Sequence, residues 1–266
     1  MSQNTIKNIC IILENYDGCE FDIRLTKDEV LVLCHDAWYQ QKRVIDTEFK
    51  YLQNILSLEQ LVNDPKVIEL VNNYDKTLWI EVKEERNIND RSTDLYNEII
   101  VDRIEKLLKA SCLDLNNIYL ISFSASILIK INKFKKLLIV PYYDCSSYGE
   151  RSWKRKIPFT KIGIYTKMLL PLKYHIQKAK ESGFNGLLFP KQYLRGFISM
   201  FQPPLDNLLT FAGNDFILGT DADTFEEEQY FRKLVVITNY NGVRLKSNYR
   251  KQPLIFHKCL LKENDQ

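Results

Sequence analysis

Gly18-Cys19-Glu20-Phe21-Asp22-Ile23-Arg24-Leu25-Thr26-Lys27-Asp28-Glu29-Val30-Leu31-Val32-Leu33-Cys34-His35-Asp36 is the stretch on which the reading of this sequence turns. Cys19 to Leu25 has the composition of a strand, Thr26-Lys27-Asp28-Glu29 that of a turn, and Val30 to Cys34 that of a second short strand. Residues two apart on a strand share a face, so Glu20 and Asp22 project together while Phe21 and Ile23 point the other way. The same spacing recurs in Trp79-Ile80-Glu81-Val82-Lys83, where Glu81 and Lys83 share a face between apolar neighbours. An unpaired charge buried in an apolar strand costs several kcal/mol, so charges placed this way need a chemical reason.

Three carboxylates converging on one point, Glu20, Asp22 and Glu81, would form an oxygen-rich site suited to a hard divalent cation, Mg²⁺ or Ca²⁺, and unsuited to a soft metal. Lys83 beside them adds a fixed positive charge for a phosphate oxygen. His35, ending the second strand, carries the side chain best suited to proton transfer near neutral pH. Metal, cation and acid together describe phosphodiester cleavage. Taken singly, Glu-x-Asp is most often an exposed strand face, and Glu81 with Lys83 an ordinary ion pair. Their order and spacing within one βα pattern shift the balance toward a site.

Outward from this stretch, apolar β-branched runs alternate with longer helical ones, the pattern of βα units in a parallel sheet. Upstream, Asn4-Thr5 caps a helix with Ile6, Ile9, Ile12 and Leu13 at helical spacing. Downstream, helices are expected over 56–70, 94–108, 126–132, 172–182 and 225–232, and strands over 78–82, 118–123, 137–140, 186–189, 216–218 and 234–237. The region 144–166, rich in Tyr, Lys and Ser, is the least legible. No tandem repeat or low-complexity linker divides the chain, so residues 1–266 are expected to form one domain.

These motifs resemble the glycerophosphodiester phosphodiesterase family. That family carries Glu-x-Asp, then Thr-x-Asp, then an apolar strand ending in His-Asp, matched here by Glu20-Phe21-Asp22, Thr26-Lys27-Asp28 and Val30 to Asp36. Gln3-Asn4-Thr5 is similar to its Glu-Asn-Thr helix start, Ser57-Leu58-Glu59-Gln60-Leu61 to its next helix, and Glu81 and Lys83 to its Glu-x-Lys strand. Ile121-Ser122-Phe123 and Val236-Ile237-Thr238-Asn239 match later strands. The resemblance implies a TIM (βα)8-type barrel with chemistry at the C-terminal ends of the strands. It implies Glu20, Asp22 and Glu81 as metal ligands, His35 as the acid that protonates the leaving alcohol, and Lys83 as a phosphate contact. The implied reaction yields sn-glycerol 3-phosphate and an alcohol from a glycerophosphodiester or related lipid headgroup ester.

Two departures stand out. In the family a His-Arg pair closes a first strand shortly before the Glu-Asn-Thr helix, as proton acceptor and phosphate holder. The sequence opens at Met1, two residues before Gln3, so a barrel incomplete at the N-terminus is expected, its first strand missing. His175, in a helical stretch, and His257, in the C-terminal tail, are expected to be plain structure. Gly219-Thr220 stands where the family has Trp-Thr, removing an aromatic wall of the pocket. Activity is therefore expected to be weak or lost; the alternative is a non-catalytic module that keeps the metal and phosphate pocket.

Composition fits this reading. At 266 residues the chain has the length of an α/β barrel, and 45% apolar with 27% charged residues is enough for a sizeable core. A net charge of +3, spread along the chain, gives no footprint for nucleic acid, and the basic patch around Trp153 reads as solvated surface. The six cysteines form no Cys-x-x-Cys pair, no apolar run approaches a membrane span, and no leader is evident. A cytoplasmic protein with reduced thiols and a small-molecule substrate is expected.

Overall fold

The computed structural model describes residues 5–85, 90–140, 170–195, 197–222, 227, 230–231, 236–239, 242–245 and 254–258. Thr5 caps α1 (Ile6–Asn15), its hydroxyl accepting from the Asn8 N–H at 3.2 Å, and Ile9, Ile12 and Leu13 form the buried stripe anticipated from their spacing. β1 (Gly18–Leu25) is buried along its whole length and turns back into the antiparallel β2 (Leu31–Leu33). Thr26 makes that turn: its hydroxyl donates to Asp28 at 2.7 Å and accepts from the Val30 N–H at 3.0 Å.

An excursion follows, with a small hairpin of β3 (Trp38–Tyr39) and β4 (Lys42–Arg43), whose underside packs Val32, Cys34, Val44, Leu52 and Ile55 together. The chain then re-enters the main body through a capping box. Ser57 Oγ accepts from the Gln60 N–H at 3.1 Å and Gln60 Oε1 accepts from the Ser57 N–H at 3.0 Å.

The helix expected over 56–70 is two: α2 (Leu58–Val62) and α3 (Pro65–Asn73). Pro65 cannot donate to a helix running through it, and Asp64 caps the new start by accepting from the Lys66 and Val67 N–H groups. Then come β5 (Thr77–Val82), α4 (Asp90–Ala110), β6 (Ile118–Ser122), α5 (Ala125–Lys130), β7 (Lys135–Ile139), α6 (Leu172–Glu181), β8 (Gly186–Phe189), α7 (Leu205–Ala212) and β9 (Ile217–Ala222). β10 (Val236–Asn239), β11 (Gly242–Leu245) and β12 (Leu254–Lys258) complete the order. The region 144–166, the basic patch and most of the helix expected at 225–232 lie outside the described residues.

Strands β1, β5, β6, β7, β8, β9 and β10 are successive parallel neighbours, and β11 and β12 follow as antiparallel additions. β12 also pairs with β1, in parallel, matching Gly18 with Phe256, Cys19 with His257 and Glu20 with Lys258. Among the described residues no strand precedes α1. The edge of β1 away from β5 is shared by β12, along Gly18 to Glu20, and β2, along Ile23 to Leu25. His257, expected in the C-terminal tail, lies on β12. The run Leu254-Ile255-Phe256 is too short to show strand alternation, which is why periodicity missed it.

Two apolar layers lie on opposite faces of the sheet. Phe21, Ile23, Leu78, Ile80 and Leu120 belong to the large core shared with the helices, whereas Trp79, Ile121, Leu137 and Leu188 form a separate cluster, extended by Trp79 stacked on Tyr119 at 4.2 Å. Gly186 sits where the Trp79 layer has no room. A Cβ there would lie 2.4 Å from the Ile217 carbonyl oxygen and 2.8 Å from Leu137 Cδ2. Gly186→Ala is expected to destabilise the fold by about 1–3 kcal/mol, read as a lower urea midpoint with an unchanged slope. Among the described residues no helix is long and apolar enough to cross a membrane.

Candidate active site

Register brings the acids together. β1 and β5 run parallel with Asp22 opposite Glu81 and Glu20 opposite Trp79, so the Glu-x-Asp pair on one strand faces the same space as Glu81 on the next. One carboxylate oxygen from each of Glu20, Asp22 and Glu81 lies within 4.8 Å of the others, and all three residues are buried. Lys83, one residue past the end of β5 and also buried, sits among them. Its Nζ is 2.8 Å from Asp22 Oδ1 and is hydrogen-bonded to Glu81 Oε1. The cluster lies toward the C-terminal ends of its parallel strands, where barrels of this class carry their chemistry.

The donor set fits a divalent cation. Three buried carboxylates against one ammonium leave a formal charge of −2 on these four side chains, a state that burial penalises heavily and a dication would neutralise. All the donors are oxygen, as Mg²⁺ and Ca²⁺ require. The ring of Phe123, at the end of β6, lies 5.9 Å from the Lys83 ammonium, placing an aromatic face beside the charged group. Tyr96 from α4 donates its hydroxyl to the Lys83 carbonyl at 3.2 Å, and burial pushes its phenol far up.

His35 is reached through β2. The Cys34 N–H donates to the Asp22 carbonyl at 3.0 Å, which anchors the backbone before His35 to the strand that carries the acids. The imidazole is about one-third exposed and its Nδ1 is 2.9 Å from Asp36 Oδ1. The hydrogen bond with His35 holds the Asp36 carboxyl below its ordinary range. Cys34 is buried, and that burial pushes its thiol up to about 11. Alkylation of the folded protein is expected to label the exposed Cys112 well before Cys19 and Cys34, as peptide mass mapping would show.

Sequence reasoning missed one group. Arg24 stands two residues beyond Asp22, hence on the carboxylate face of β1, and is 3% exposed. Its Nε and Nη2 donate to the His35 carbonyl at 3.2 and 3.0 Å, and its Nη1 lies 3.0 Å from Glu85 Oε2. The other Glu85 oxygen is 2.6 Å from Arg43 Nη2, which ties the excursion after β2 to the chain leaving β5. Arg24 thus positions the His35 backbone. The signal was present in the sequence, since Glu20, Asp22 and Arg24 alternate on one face.

His175 lies on α6, 3.5 Å from the Tyr193 hydroxyl, away from these strands. Thr220 is buried on β9 beside Gly219, so no aromatic side chain stands at this pair.

Comparisons with known proteins agree with this architecture. The chain is similar to a glycerophosphodiester phosphodiesterase structure from Parabacteroides distasonis at 17% identity and a TM-score of 0.59, with 90% of this chain and 86% of that chain covered. A Thermotoga maritima glycerophosphodiester phosphodiesterase matches at 18% identity and a TM-score of 0.57, over 89% of this chain and 87% of that one. An Oleispira antarctica phosphodiesterase, solved with the product sn-glycerol-3-phosphate, matches at 13% identity and a TM-score of 0.56, over 90% and 87%. At these identities the likeness shows the fold. A search of curated proteins gave no match. The family model of the glycerophosphoryl diester phosphodiesterases covers residues 11–186, more than half of the chain and every acid of the cluster, and the chain belongs to that family.

Proposed function

We propose that this chain is a divalent-metal-dependent hydrolase that splits glycerophosphodiesters into sn-glycerol 3-phosphate and an alcohol, with Glu20, Asp22 and Glu81 holding Mg²⁺ or Ca²⁺. The observation that carries this reading is the convergence of the three buried carboxylates within 4.8 Å of one another, with Lys83 among them. A dication held there would supply Lewis-acid polarisation of the phosphoryl group and charge neutralisation. Lys83 is the contact for a phosphate oxygen. Its ammonium is held beside the carboxylates by Asp22 and Glu81. His35, about one-third exposed and following the Cys34 backbone that is bonded to the Asp22 carbonyl, donates a proton to the oxygen of the departing alcohol. Arg24 and Glu85 keep the backbone of His35 in place for that transfer.

The test is release of sn-glycerol 3-phosphate from glycerophosphocholine or glycerophosphoethanolamine, with and without Mg²⁺ or Ca²⁺ and after chelation. Release that depends on the cation supports the proposal. Cation binding without any release would favour the binding-module reading, and absence of both would sink the metal site.

A further inference from the structure

The last register pair of β5 and β6 is Glu81 with Ile121, two residues short of Lys83 and Phe123. Serine hydroxyls carry the connection on from there. Ser122 Oγ donates to the Val82 carbonyl at 2.7 Å, and Ser124 Oγ donates to Glu84 Oε1 at 2.7 Å, with Ser126 adding a longer bond of 3.2 Å to the same oxygen. The two serines flank Phe123, and their partners flank Lys83. The Lys83 backbone is itself held at both polar groups, its N–H donating to the Ile23 carbonyl at 3.1 Å and its carbonyl accepting from the Tyr96 hydroxyl. Helix stability alone does not account for Ser124. It stands at the N-cap of α5, where a serine ordinarily accepts from the helix N–H groups, yet it makes no side-chain cap bond and turns its hydroxyl to Glu84 instead.

We propose that Ser122, Ser124 and Glu84 form a clasp of positioning residues that locks the end of β6 to the chain leaving β5, and so fixes the Lys83 ammonium and the Phe123 ring relative to each other for phosphate binding. This rests on the phosphodiesterase reading and adds to it residues that touch neither metal nor substrate. A lysine is a point charge on a flexible four-carbon stem, so its place in a site depends on what holds its backbone and what limits its reach. Phe123, with its ring 5.9 Å from the ammonium, is such a limit. Its own place depends on the serines on either side. Two bonds of 2.7 Å across a strand pair, one of them to a carboxylate, are strong enough to hold that spacing where the register pairs have ended.

The experiment is titration of sn-glycerol 3-phosphate into the parent protein, Ser124→Ala, Ser124→Thr, Glu84→Ala and the Ser124→Ala/Glu84→Ala double variant, each with saturating Mg²⁺ or Ca²⁺. Steady-state kinetics on glycerophosphoethanolamine and urea melts in chelator accompany it. Ser124→Ala and Glu84→Ala are each expected to weaken binding on the order of tenfold, below the roughly 10²-fold that a displacement of about 1 Å can cost. KM should rise with kcat less affected, as for a contact made in both ground and transition states. Ser124→Thr, which keeps the hydroxyl, is expected to retain most of the affinity, and the double variant to bind no more weakly than Glu84→Ala alone, because both changes break the same bond. Parent-like affinity and KM in Ser124→Ala and Glu84→Ala, with only the urea midpoint moved, overturn the inference and leave the clasp as scaffold. So does a double variant whose loss is the product of the two single losses. A parent that binds and hydrolyses while these variants do so unchanged sinks this inference alone, whereas a parent that neither binds nor hydrolyses sinks the phosphodiesterase reading with it.

Discussion

Lys83→Met is expected to lower the stability of the metal-free protein by about 3–5 kcal/mol, the usual cost of stripping one partner from a buried ion pair. The ammonium lies between Asp22 and Glu81, and both it and its partners are under 5% exposed, so water cannot take its place cheaply. Without it, three carboxylates would face one another with no cation among these side chains. A dication should recover much of that loss, because it binds the folded state and not the unfolded chain. Denaturation in chelator, then in Mg²⁺ or Ca²⁺, reads both parts. If the variant is as stable as the parent in chelator, the electrostatic account of the cluster is wrong.

Glu81→Gln should separate chemistry from stability in the opposite direction. Removing one of the three proposed anionic ligands is expected to lower kcat/KM on the order of 10²–10³-fold, the scale found for losing one preorganised electrostatic group from an active site. The metal-free fold should not suffer. The substitution removes one negative charge from a cluster with a formal excess, and Lys83 keeps Asp22 at 2.8 Å. Melting in chelator beside the glycerol 3-phosphate assay decides it. A variant that loses stability and activity in parallel would mark Glu81 as an ordinary structural partner of Lys83.

Much of the site was legible because strand alternation is a strict period. Glu20 with Asp22, and Glu81 with Lys83, could be assigned to shared faces from spacing alone, and the parallel register of β1 and β5 then brought the two faces together. Arg24 obeys the same period yet escaped notice, since its partners Glu85 and the His35 carbonyl lie 61 and 11 positions away and no local pattern announces them. The split between α2 and α3 turned on Pro65, a local signal outweighed by the apolar spacing around it. β12 was illegible for a different reason: its pairing with β1 is fixed by the far side of the sheet and leaves no periodicity in Leu254 to Lys258.

That pairing also bears on how the molecule is made. Gly18 and Phe256 are partners across more than 230 positions, and β12 leaves the ribosome after every other described strand. Until then, the Gly18–Glu20 edge of β1 has its backbone amides and carbonyls without the β12 partner, an open template for another chain. Loop-closure entropy over so long a separation makes this pairing a late step, after local βα units have formed. During synthesis the nascent protein should therefore pass through a nearly assembled state with a sticky edge, the stage at which chaperones or self-association compete most strongly for it.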